Sequence, residues 1–160
     1  MSGGLIEFDL VIRSEVEINA ALPVVWNYLS RVQEWKPSVT SVERVQGAAG
    51  SIGEVLRLGQ RSGDDIVHVI HKTLQLEGNN WRVQSLETED GRTARGYLVY
   101  SLYERGAGTL LAAELLARAC IPEAVAGALS AEQASRKICE ATRAKFHADH
   151  LALKRLIENE

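Results

Sequence analysis

Along residues 10–18 the apolar side chains fall on even positions, Leu10, Ile12, Val16 and Ile18, while Arg13, Glu15 and Glu17 take odd ones. This is the two-residue period of a strand with one buried face. The alternation stops at Ala20-Ala21-Leu22-Pro23. Val24, Val25, Trp26 and Leu29 then read as a short helix with proline in its first turn. Trp35 and Pro37 close a second short helical piece. Six further strands are predicted at 39–46, 53–59, 66–76, 81–88, 95–104 and 109–118, separated by turn-forming runs such as Gly47-Ala48-Ala49-Gly50 and Gly78-Asn79-Asn80. The later connectors are too short for crossover helices, so neighbouring strands are expected to run antiparallel.

From residue 122 to 158 the period changes to that of a helix. Gly127 and Ser130 divide it into a short leading piece and a long trailing one, with Ser130 and Gln133 spaced as a capping box. At about 100° per residue, Ser135, Cys139, Thr142, Phe146, His150, Leu153 and Ile157 lie within roughly 40° of one line, with Ile138, Asp149 and Leu156 at its margins. The stripe is apolar but interrupted by Thr142, Asp149 and His150. Such groups either bond to nearby backbone and to each other or line a partly wet pocket. The order of elements predicts an α+β fold in which one face of a curved seven-stranded antiparallel sheet wraps around the long terminal helix.

Composition narrows the function. The chain has 160 residues, enough for one domain over 1–160 around a single core. Its 18 Lys and Arg against 21 Asp and Glu leave a net charge of −3, which argues against a nucleic-acid partner. No stretch approaches the length of a membrane span, and the first residues lack the basic lead and apolar run of a signal peptide. Cys120 and Cys139 are too few for a disulfide framework and lack metal-site spacing, so a cytoplasmic, reducing location is expected.

The segments Ile18-Asn19-Ala20-Ala21-Leu22-Pro23-Val24-Val25-Trp26, Trp35-Lys36-Pro37, Gly50-Ser51-Ile52-Gly53 and the closing Leu153-Lys154-Arg155-Leu156-Ile157-Glu158 occur in an order and spacing that resembles the START-like (SRPBCC, helix-grip) superfamily. Its members include polyketide cyclase/dehydrase-like proteins, lipid-transfer domains and the birch-pollen-allergen type. The resemblance covers essentially the whole chain. It implies a hydrophobic cavity between the sheet and the C-terminal helix, holding a lipid-like, polyketide or aromatic ligand; no cofactor is expected. The sequence departs from many relatives where they carry a glutamate early in the fourth strand: the matching position holds His71.

The resemblance favours odd residues of the fourth strand facing inward, which places Val67, Val69, His71 and Thr73 on the cavity wall and His68 and Lys72 outside. A neutral imidazole there would orient a ligand or act as a base; alternatively it bonds to a cross-strand neighbour. His71, Asp149 and His150 are the catalytic candidates if the cavity performs acid–base chemistry of the cyclase/dehydratase type. Trp81 with Val83, and Leu98, Tyr100 and Leu102, form the apolar faces of the fifth and sixth strands, making Trp81 and Tyr100 the candidate aromatic wall, or simply core. Leu111, Ala113 and Leu115 look inward on the seventh strand. Arg57 has the opposite parity to Leu56 and Leu58, yet alignment with the family through Gly53 turns it toward the cavity, where it would select an acidic ligand. The candidate ligand-binding set is therefore Arg57, Val69, His71, Trp81, Tyr100, Thr142, Phe146 and His150.

Other chemistry finds little footing. Residues 47–53 lack the lysine of a phosphate loop and the Gly-x-Gly core of a dinucleotide turn. The helical His147, Asp149 and His150 lack the spacing of a zinc helix, so no metal is expected. Leu151, about 140° from Phe146 on the wheel, is expected to be exposed and to mark a homodimer or partner surface.

Overall fold

A computed structural model of the chain describes residues 3–159. The first alternating strand is longer than its clearest stretch of pattern: β1 spans Leu5–Ile18, with Ile6, Leu10, Ile12, Ser14, Val16 and Ile18 all buried. α1 (Leu22–Leu29) begins with proline in its first turn. α2 (Val32–Trp35) is a single turn ending at the buried Trp35. Next come β2 (Val39–Gln46), β3 (Val55–Ser62), β4 (Asp65–Glu77), β5 (Trp81–Thr88), β6 (Ala94–Arg105) and β7 (Gly108–Pro122). β3 starts later than the expected residue 53, because Gly53 stays in the preceding turn at φ 91.

The strands form one sheet in the order β1-β7-β6-β5-β4-β3-β2, and every neighbouring pair is antiparallel. β2 to β7 are a meander, while β1 closes one edge by pairing with β7 from Leu5↔Pro122 to Ile18↔Thr109. Two hairpins turn on two-residue loops, Gly63-Asp64 and Gly106-Ala107. Glycine takes the first position of each at φ 61 and 59, a conformation that side chains with a β-carbon avoid.

The expected break in the terminal helix falls at Gly127. It separates α3 (Glu123–Ala126) from α4 (Ala131–Glu158). The capping box forms in both directions: the Gln133 amide donates to Ser130 Oγ at 3.1 Å, and the Ser130 amide donates to Gln133 Oε1 at 3.0 Å. Ser130→Ala is expected to cost about 1 kcal/mol, measured as a lower urea midpoint at unchanged m-value.

α4 packs on β1 and touches α1 and α2. Its Phe146, Leu153 and Ile157 join Leu10, Ile12, Val16 and Ile18 of β1 in the main core. Leu151 corrects its expected exposure. It is half-buried and packs against that core, so it offers no outward apolar spot for a homodimer. Among the described residues, no helix is long and apolar enough to cross a membrane.

Candidate functional site

Because α4 keeps to the β1 side of the sheet, the inner face of β3 to β6 is covered instead by α1, α2 and the β2–β3 loop. A cavity of about 200 Å³ lies between them. No described residue of α4 lines it, which moves the site away from the expected seam between sheet and terminal helix. The physical reason is that the apolar stripe of α4 is taken up by β1. Trp26, Leu29, Val32 and Trp35 form the helical side of the cavity, and Leu56, Leu58 and Leu98 form the apolar part of the sheet side. Exposed Ala49 and Gly50 rim its mouth.

On β4 the odd positions do face inward. Val69, His71 and Thr73 are buried; His71 and Thr73 line the cavity and Val69 does not. A register shift between Thr73 and Gln75 then inserts one extra residue, which reverses the strand's parity and turns Leu76 inward as well.

On β5 the expected faces are exchanged. Arg82 and Gln84 point into the cavity, while Trp81, opposite Glu77 and Ser101, does not line it. The ladder decides this. Gln84 lies across from Thr73 and Leu98, and Arg82 from Leu76 and Tyr100, so all six share one face. The inward polar groups find partners there: Gln84 Nε2 donates to Thr73 Oγ1 at 3.3 Å, and the Arg82 guanidinium sits 5.3 Å from the Tyr100 ring centroid, within cation–π range.

Arg57 also faces away from the cavity. The parity of Leu56 and Leu58 prevails, and Arg57 meets Glu89 on the outer face through Nε–Oε1 and Nη2–Oε2 contacts of 3.0 Å each. An exposed bidentate pair satisfies the guanidinium without desolvating it, which an inward turn would require.

The helix residues are linked to the cavity at second hand. His150 is 1% exposed and enclosed by three aromatic rings, with centroid distances of 4.6 Å to Phe146, 5.6 Å to Tyr100 and 5.8 Å to Trp35. Its Nε2 lies 3.0 Å from the Tyr100 hydroxyl. Its Nδ1 has no hydrogen-bond partner, although the Phe146 carbonyl one turn back favours the protonated ring. His150 and Phe146 thus back Tyr100 and Trp35, which are the cavity wall. Thr142 is half-buried farther along α4 and Asp149 is buried beside His150; neither lines the cavity.

Burial also sets the protonation states. Desolvation, reinforced by the charges of Lys36 and Arg82, lowers the His71 imidazolium to about 3, against a smaller opposing effect of Gln84. Desolvation lowers His150 to about 3 as well, with Lys36 and His147 adding to the effect. Both rings are therefore neutral at neutral pH. Burial pushes the Tyr100 phenol above its usual range, lowers the Lys36 ammonium and raises the Asp149 carboxyl against the pull of Lys36 and Lys145.

The wall residues that sequence reasoning missed include Lys36, Arg82 and Gln84, together with the aromatic Trp26 and Trp35. Trp35-Lys36-Pro37 was visible as a motif, but nothing in it marks the lysine as inward. Arg82 reads in isolation as the solvent side of a strand whose other side carries Trp81 and Val83.

A curved seven-stranded antiparallel sheet with a long C-terminal helix packed on it is a helix-grip fold of the START-like kind. Solved structures share it. A START superfamily protein from Mycobacterium smegmatis matches with a TM-score of 0.73 at 14% identity, covering 93% of this chain and 97% of that one. Zhui aromatase/cyclase from Streptomyces sp. R1128 matches with a TM-score of 0.71 at 17% identity, covering 94% of each chain. The di-domain ARO/CYC BexL from the BE-7585A biosynthetic pathway matches at 0.67 and 18%, over 93% of this chain and 49% of that one. No family model matches the sequence, and no curated protein does.

Proposed function

We propose that this protein holds a small, largely apolar molecule in the cavity under α1 and α2, as a carrier or sensor. The observation that carries this reading is the cavity itself: about 200 Å³ of space walled by Trp26, Trp35 and leucines, with a few inward polar groups, which is the usual make-up of a small-molecule site. Its size favours a body of one or two rings or a short acyl segment, since a cavity of about 150 Å³ already accommodates benzene. The two cysteines are free, which supports a cytoplasmic, reducing location.

A cyclase/dehydratase-type enzyme using His71, Asp149 and His150 is the alternative, and aromatase/cyclases do occur among the similar folds. Two features count against it. Asp149 and His150 lie outside the lining, and an imidazole held at about 3 is poorly matched to proton transfer near neutral pH. The neutral His71, with Thr73 and Gln84, suits hydrogen bonding to a ligand better.

Native mass spectra of protein purified without denaturant are expected to show a species heavier by one small molecule. Ligand added back at a hundred times its Kd should stabilise the fold by about 2.7 kcal/mol, seen as a raised Tm. If no adduct appears and no aromatic or short-chain compound raises the Tm, the reading falls.

A further inference from the structure

We propose that the ligand carries an anionic, acceptor-rich head of the carboxylate class, received by Arg82, Lys36 and the Trp35 indole N–H while its apolar body rests against Trp26, Leu58 and Leu98. The inference rests on the cavity being a ligand site and specifies what that site selects.

Four observations converge on it. Arg82 and Lys36 both line the cavity, and among the described residues neither side chain has a carboxylate within ion-pair distance. Arg82 Nε and Trp35 Nε1 are buried donors without acceptors, on two different walls of the same space. Buried donors normally have partners, and two residues of one cavity lining that each carry an unpartnered donor call for an acceptor there. The lining contains two cations, Lys36 and Arg82, against one carboxylate, Glu54; Glu54 acts on Arg82 through its charge from beyond ion-pair distance, and its Oε2 accepts from the Gly50 amide at 3.1 Å. Finally, the guanidinium is held in place over the Tyr100 ring, which His150 fixes in turn through its hydroxyl. Asp149 of α4 acts on Lys36 through its charge but from beyond ion-pair distance, so the lysine keeps its donors for a ligand. A guanidinium and an ammonium together match a carboxylate better than any neutral head, because charge-assisted hydrogen bonds are the stronger ones.

The test compares benzoate, cinnamate and 2-naphthoate with their carboxamides, which keep the shape and remove the charge, by calorimetry and by fluorescence of the cavity tryptophans. At least one acid is expected to bind tenfold or more tightly than its amide. In Arg82→Gln and in Lys36→Gln, each verified as folded by its Tm, that preference should shrink to within about twofold while amide binding is unchanged. Acid and amide binding equally well would overturn the anionic head and leave the cavity reading standing. A preference that survives in both variants would overturn the assignment to Arg82 and Lys36. Absence of binding by every acid and every amide would count against the cavity reading itself, and the inference would fall with it.

Discussion

Between about pH 6.5 and pH 3 the folded protein is expected to lose stability at roughly 1.4 kcal/mol per pH unit for each of His71 and His150. Both imidazoliums are lowered to about 3 in the fold, whereas in the unfolded chain they titrate near the ordinary value of about 6.5. Within that window the unfolded state binds more protons, so stability rises with pH. The full contribution is present above the unfolded value and is lost as pH falls toward the folded one. Asp149 works the other way, because burial raises its carboxyl and protonation relieves it. Two histidines carried over two pH units amount to roughly 5 kcal/mol, comparable with the whole stability of many domains. Urea midpoints measured from pH 7 to 4 should therefore fall steeply, and His71→Gln/His150→Gln should flatten the slope even if it starts from a lower midpoint. A wild-type midpoint unchanged down to pH 4 would mean that both rings accept protons inside the fold.

Leu153→Ala should remove about 2–5 kcal/mol. Leu153 is 0% exposed and belongs to the cluster through which α4 holds β1, so truncation leaves a void between helix and strand that close-packed neighbours fill only in part. Since α4 does not line the cavity, ligand affinity measured well below the variant's midpoint should stay within a few-fold of wild type. A loss of binding out of proportion to the loss of stability would show that the position of α4 controls the cavity. Denaturant unfolding and calorimetry on the same preparation separate the two outcomes.

β1 was legible because one of its faces is packed and the other wet, so burial is written directly into its alternation. β6 was legible for the same reason, with Leu98, Tyr100 and Leu102 all buried. The parity of β4 came from family resemblance, and it holds as far as Thr73. β5 failed because a cavity inverts the usual rule: its wall accepts Arg82 and Gln84, and the apolar Trp81 and Val83 then mislead. At Arg57 the local alternation with Leu56 and Leu58 is the correct guide to its outward side chain, and the family alignment misleads.

Local chemistry alone determined the order of elements, the hairpin loops, the capping box at Ser130 and the buried stripe of α4, because each depends on residues close together in the chain. Tertiary structure decided the rest. The bulge after Thr73, the seating of α4 on β1 and the meeting of Lys36, Trp35, Arg82 and Tyr100 around one cavity join positions distant in sequence. Their energies depend on ladder register, desolvation and the space left between packed layers, and none of these quantities belongs to a residue until its neighbours across the fold are in place.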